Sequence, residues 1–267
     1  MTGKEPTVQV LLTFDFEEWE GKYRVYEADL YKKTKRMVDI LEDRELPATF
    51  FLDAYTTLRY PEAADLLRNR NYELALHSDY HYGAVRDTNF RKYVRLVEVP
   101  DFRQDCKTQI ARIRNAIKMT RKVIPNFKPR GFRAPGMRWN KELYVSLHEL
   151  NFLFDSSQQD QYVFRPFLRN GVVVIPMNSG DYDSACYKVR PMYVVGVWKD
   201  LFERACQTAK DKEGKSYFLL VFHPSVCGKH KYLGMLKAIL NFMSWADVEY
   251  LTCSELAADF KRESMRK

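Results

Sequence analysis

Thr7-Val-Gln-Val-Leu-Leu-Thr-Phe-Asp15 is a nearly unbroken apolar run that ends on an acid, the pattern of a strand buried on both faces in a parallel sheet. From Glu27 the spacing changes. Leu30, Met37, Val38 and Leu41 recur at helical intervals before Pro47, and Ala48-Thr-Phe-Phe-Leu52 returns to a strand pattern. The unit is β-α-β, and it repeats. Residues 61–70 predict a helix, 72–76 a strand, and Ile110, Ile113 and Ile117 the buried stripe of a longer helix. Strands are further predicted at 131–133, 152–154, 172–175, 218–222 and 248–251, with helices at 141–150, 195–210, 232–245 and 255–261. The stretch 84–104 carries the least pattern and reads as a long surface loop.

This alternation predicts an α/β protein, a distorted (β/α)7-type barrel, with an open doubly wound sheet as the alternative. The chain has 267 residues and shows no repeat, low-complexity tract or linker, so one domain over residues 1–267 is expected. Apolar content of 46% is globular, and no apolar run reaches the length of about 18 residues that a membrane helix needs. The N-terminus leads into a strand without an apolar leader, so a cytoplasmic location is expected. Cys106, Cys186, Cys206, Cys227 and Cys253 are scattered and lack CxxC spacing, which suits free thiols. A net charge of +8 invites a nucleic-acid reading, but lysines and arginines are spread along the chain and alternate with acids, as on solvated helix faces. No nucleic-acid partner is expected, although an anionic substrate would suit the charge.

Barrel enzymes gather chemistry at the C-terminal ends of strands, and the polar residues of this chain fall there. Asp15, Glu17 and Glu18 follow the first strand, His77 and His81 the third, Arg133 the fourth and Asp155 the fifth, and His223 ends the 218–222 run. The pair His77-Ser-Asp-Tyr-His81 can share a cation if both imidazoles face one way on a helical turn. A third ligand from the acidic cluster would complete a site of two histidines and one carboxylate with a position open for water. An acidic helix N-terminus would also explain Glu17 and Glu18, but not an acid that terminates a buried strand. His148 and His230 lie in helical or Lys-rich surroundings and read as structural. Asp181 and Asp183 could meet substrate hydroxyls, and Trp19 and Trp139 could stack on a sugar ring.

Taken in order, Thr13-Phe-Asp15 with its following acids, His77-Ser-x-x-His81, Arg133-Ala-Pro-Gly136, Asp155-Ser-Ser157 and Phe222-His-Pro224 resemble the five motifs of the polysaccharide deacetylase family. This is also called carbohydrate esterase family 4 or the NodB-homology family, and the resemblance runs from about residue 8 to residue 260. It implies a distorted barrel and hydrolysis of an N-acyl amide, most simply N-acetyl, on an amino sugar. By resemblance, Asp15 is the general base and Glu17, His77 and His81 hold one divalent ion, with zinc expected. Arg133 keeps Asp15 ionised, the backbone near Gly136 contributes to an oxyanion hole, His223 is the general acid, and Asp155 orients and charges His223. The first motif departs from the usual adjacent aspartates. Asp15-Phe-Glu-Glu-Trp19 resembles a D-x-E-[DE]-W subgroup that also contains allantoinase-like hydrolases of cyclic ureides, some without metal. The expected partner is therefore an amino-sugar or small amide substrate. A carbohydrate-binding barrel with a degenerate site is the non-catalytic rival.

Overall fold

The computed structural model describes residues 8–18, 29–70, 72–79, 104–180, 190–211 and 215–266. Among them, strands β1 (Val8–Phe16), β2 (Thr49–Leu52), β3 (Glu73–Leu76), β4 (Gly131–Phe132), β5 (Phe154–Asp155), β6 (Phe167–Arg169), β7 (Val172–Val174), β8 (Ser216–Phe222) and β9 (Val248–Tyr250) form one sheet. Its order is β6-β7-β5-β4-β3-β2-β1-β8, with β9 also paired to β1. Pairing is parallel throughout except for the β6–β7 hairpin. The described helices are α1 (Leu30–Glu42), α2 (Ala54–Arg59), α3 (Pro61–Asn69), α4 (Cys106–Thr120), α5 (Lys141–Glu149), α6 (Pro191–Asp211), α7 (Pro224–Cys227), α8 (His230–Met243) and α9 (Cys253–Ser264). Asp29, Asp105 and Asn140 cap α1, α4 and α5, each accepting a backbone N–H three residues on, and Thr252 with Glu255 forms a capping box on α9.

Side chains alternate across a strand, and this sorts the core into two parts. Val10, Leu12, Phe14 and Phe16 of β1 and Phe218, Leu220 and Phe222 of β8 pack outward under the helices. Leu11, Phe51, Ala75, Phe154, Val173, Tyr217, Leu219 and Val221 fill the space that the curled sheet encloses. Gly131 belongs to that inner face, where a Cβ would stand 1.8 Å from the Phe154 ring, so only glycine admits the ring there.

The expected α/β barrel is present, but the described strands do not close it by pairing β7 to β8. A side chain bridges the gap instead. The Asn178 amide donates to Tyr217 O and Val163 O, both at 3.0 Å, and its oxygen accepts the Leu219 N–H at 2.9 Å. Asn178 thus serves as one rung of a missing ladder. The sequence reading omitted β6, α2 and α7; each is too short, or too exposed in the case of β6, to show a period.

Candidate active site

The inner face of β1 becomes polar at its C-terminal end, where Thr13 and Asp15 follow Leu11 and are themselves followed by Glu17. Asp15 pairs in register with Phe51 of β2, and Phe51 with Ala75 of β3. Two residues further along, the same face carries Glu17, Asp53, His77 and, beyond β4, Arg133. On the other side of β1, Val221 pairs with Thr13, which brings His223 level with Asp15. All six of Asp15, Glu17, Asp53, His77, Arg133 and His223 are buried. Parallel register therefore gathers residues from five strand ends into one small volume.

Arg133 organises the floor of this site. Its Nη1 donates to Asp15 Oδ1 at 2.6 Å and to Thr13 Oγ1 at 3.1 Å, while Nε and Nη2 donate to Ser156 O and Oγ at 3.3 and 3.0 Å. The guanidinium lies 3.9 Å above the Phe51 ring centroid, so one planar group is fixed from its face and its edges. Asp15 Oδ2 is left facing two imidazoles, with His77 Nε2 and His223 Nε2 each 3.9 Å away. Glu17 lies between the same two rings, at 3.2 Å from His77 Nε2 and 3.4 Å from His223 Nε2.

His77 Nδ1 is 2.8 Å from the Arg133 carbonyl, to which it must donate, and this leaves Nε2 facing Glu17. Burial acts to lower the pKa of this imidazole, but Asp15, Glu17 and Asp53 around it raise it on balance. Burial also pushes Asp53 up to about 8, opposed by the Thr56 N–H and reinforced by Glu17.

Glu18 takes a different path from Glu17. Its carboxylate is held away from the imidazoles by Arg59 Nη1 and Tyr60 OH, each at 2.7 Å, and its N–H donates to Thr56 Oγ1 at 3.0 Å. After β3, Ser78 adopts a left-handed φ of 67°. The following Asp79 is gripped by the Arg112 guanidinium of α4 through both carboxylate oxygens, a buried pair. A helical turn was one way for His77 and His81 to face the same side; residues 77–79 are not helical. His81, Trp19, Asp181, Asp183 and nearly all of the predicted 84–104 loop lie outside the described residues.

Asp155 corrects an expectation. It was read as the partner of His223, but its carboxylate accepts from Ser157 Oγ at 2.5 Å, Ser157 N at 3.1 Å and Tyr144 OH at 3.0 Å. The cause is strand parity. Asp155 is in register with Phe132 and Val174, both outward-facing core residues, so its side chain leaves the sheet toward α5 and not into the enclosed space. Burial pushes Asp155 up to about 6, against the pull of Ser157, Tyr144 and Arg133. Ser157 Oγ in turn accepts the Ala134 N–H at 2.8 Å, tying this network to the Arg133–Gly136 segment.

Trp139 lies under the Arg169 guanidinium, 4.9 Å from its ring centroid, and joins the core through Tyr144. The sequence reading missed Asp53, which ends the 48–52 run much as Asp15 ends the first, and it missed Thr13, Tyr144 and Arg112 as partners.

No group of three His, Cys, Asp or Glu among the described residues is placed to hold a metal. The pair that is described fits one nonetheless. His77 Nε2 and Glu17 Oε2 are 3.2 Å apart, close to the separation of about 3.4 Å expected of two ligands each about 2.1 Å from a tetrahedral ion. The imidazole tautomer is fixed by a backbone carbonyl, as metal-bound histidines require.

A family model described as polysaccharide deacetylase matches residues 2–154, more than half of the chain. No curated protein sequence matches significantly. Among solved structures, a candidate polysaccharide deacetylase from Mycobacterium smegmatis superposes with a TM-score of 0.72 at 20% identity, covering 98% of this chain and 92% of its own. A second candidate, from Pseudomonas aeruginosa PAO1, gives 0.72 at 16% identity over 96% and 91%. The Puue allantoinase gives 0.71 at 14% identity over 96% and 90%. At these identities the superpositions establish the fold and do not separate one substrate from another. The family match, the barrel and the strand-end polar groups together place the chain in the polysaccharide deacetylase family, as a hydrolase of carbon–nitrogen bonds other than peptide bonds.

Proposed function

We propose that the chain removes an N-acyl group, most simply N-acetyl, from an amino-sugar substrate in a metal-dependent reaction. The observation that carries this is Asp15, clamped through Oδ1 by Arg133 and presenting Oδ2 to both His77 and His223. A base must keep its geometry while one oxygen stays available, and this arrangement does both. Glu17 and His77, joined by His81, would hold one divalent ion, with zinc suited to the donors; such an ion supplies Lewis acidity toward the amide carbonyl.

Asp15 takes the proton of the attacking water. Arg133 keeps that carboxylate in place, and the Phe51 ring beneath the guanidinium excludes water from its face. A backbone N–H near Gly136, on the segment anchored where Ala134 N–H donates to Ser157 Oγ, would donate to the developing oxyanion. His223, facing Asp15 and Glu17, delivers a proton to the departing amine. Asp155 supports the Arg133–Gly136 segment and is not the partner of His223. Glu18 braces the first motif against α2.

The test is acetate or amine release from a panel of substrates. An N-acetylated amino-sugar oligosaccharide should turn over, whereas a cyclic ureide such as allantoin should not. Turnover of the ureide alone would move the chain to the allantoinase-like reading, and no turnover of either by metal-loaded protein would favour a binding barrel. No described helix is long and apolar enough to cross a membrane.

A further inference from the structure

A buried ion pair begins two residues past His77 and has no part in the chemistry described above. Asp79 and Arg112 are 4% and 7% exposed, and Arg112 Nε donates to Asp79 Oδ2 at 3.2 Å while Nη2 donates to Oδ1. The same Nη2 reaches Ser78 Oγ at 3.5 Å, and Ser78 Oγ donates to Asp79 Oδ1 at 3.1 Å. Strand parity explains the arrangement. Ala75 faces the enclosed space and Leu76 the helices, so His77 turns inward and Ser78 outward, toward α4.

Helix α2 holds the same two residues from another side. Ala54 N–H donates to Ser78 O at 3.2 Å and Tyr55 N–H to Asp79 O at 2.9 Å, so this stretch of chain answers two of the donors that a helix start leaves open. Ser78 has a φ of 67°, a conformation that a β-carbon disfavours and that persists where its surroundings impose it. Arg112 is itself anchored, since the neighbouring Ile113 is buried in the core and Asp105 caps α4.

Stability alone does not account for the charges. Desolvation offsets the attraction within a buried ion pair, and a well-packed apolar pair would hold α4 as firmly. What a guanidinium adds is direction, because its planar fork fixes both carboxylate oxygens where an ammonium holds one point. His77 needs that direction. Its Nδ1 must meet Arg133 O at 2.8 Å while its Nε2 stands 3.2 Å from Glu17, and a small rotation of the chain past β3 would disturb both.

We propose that Arg112 is a positioning residue: by holding Asp79 and Ser78 it fixes the exit of the chain from β3 and so the aim of the His77 imidazole. This rests on the hydrolase reading above, in which His77 belongs to the reacting centre.

Arg112→Gln combined with Asp79→Asn removes both charges together, so that neither is stranded, and leaves an amide pair in their place. The full chain and this double variant would be compared by the NMR signal of the imidazole proton that His77 donates to Arg133 O, by kcat and KM on an N-acetylated amino-sugar oligosaccharide, and by melting temperature. The expected result is a His77 signal weakened by exchange with water and kcat about ten- to a hundredfold lower, with KM and melting temperature nearly unchanged. Arg112→Lys, which keeps the charge but not the fork, should recover only part of kcat. A folded double variant with the wild-type His77 signal or wild-type kcat would overturn the proposal and leave the pair a packing contact. Should the double variant fail to fold, Arg112→Lys alone carries the same comparison, with wild-type signal or kcat overturning the proposal in the same way. A wild-type chain without turnover would overturn the hydrolase reading itself, whereas an unaltered His77 signal overturns the positioning alone.

Discussion

Two groups of buried acids stand on the same sheet and are built on opposite principles. Around Asp155 every contact is internal: two hydroxyls and an N–H from Tyr144 and Ser157 are spent on one carboxylate. Around Glu17 three carboxylates from two strand ends converge with two imidazoles, and an Asp53 oxygen is left without a hydrogen bond among the described residues. A satisfied network rigidifies its surroundings, whereas an accumulation of buried negative charge calls for something from outside. The contrast teaches that burial and an acidic side chain do not by themselves mark a catalytic group. What separates the two is which face of the strand the side chain leaves from.

The largest effect is expected at the open cluster. Asp15→Asn should lower kcat by about 10² to 10⁴ with metal content and melting temperature retained, because the amide keeps the shape but cannot take a proton. Near-normal turnover in that variant would remove Asp15 from the chemistry and dissolve the distinction between the clusters.

Asp155→Asn tests the closed cluster, through stability first. A carboxyl raised to about 6 in the folded chain, against an ordinary value near 4, stabilises the fold fully only below about pH 4. That contribution is lost as pH rises through about 6, by up to roughly 1.4 kcal/mol per unit. Denaturant titrations at pH 4, 5, 6 and 7 should therefore show the wild-type advantage over Asp155→Asn shrinking with pH. A constant difference would mean that the folded environment does not perturb Asp155. The alkaline limb of the kcat profile should stay in place in this variant, since His223 faces Asp15 and Glu17; a shift to lower pH would revive the Asp155–His223 coupling.

The smallest effect belongs to Glu18. Its contact with Arg59 is partly exposed, and Glu18→Gln should cost no more than about 1 kcal/mol. Metal content should not change. Loss of the metal on that substitution would reverse the choice of Glu17 as ligand.

Much of this was legible in the sequence, and the reasons for the failures are specific. The strand-helix alternation and the order of the polar strand ends marked the barrel and brought forward Asp15, Glu17, His77, Arg133 and His223, which the structure gathers. Strand parity was not legible, because a strand buried on both faces reads as one continuous apolar run and hides which side each residue takes. Asp155 was misassigned for that reason. Asp53 was passed over because its neighbour Ala54 opens a helix too short to show a period, so nothing drew notice to the acid before it. The Asp79–Arg112 pair joins residues from β3's end and α4, a contact that no local pattern announces.

The open cluster at the ends of β1, β2 and β3 is proposed to work as a catalytic cation site. Its most direct test is acetate release by chelator-stripped protein from an N-acetylated amino-sugar oligosaccharide, before and after titration with divalent metal. The predicted result is negligible release before, full recovery at about one equivalent of ion, and no recovery in His77→Ala. Full turnover by the stripped wild-type chain would contradict it.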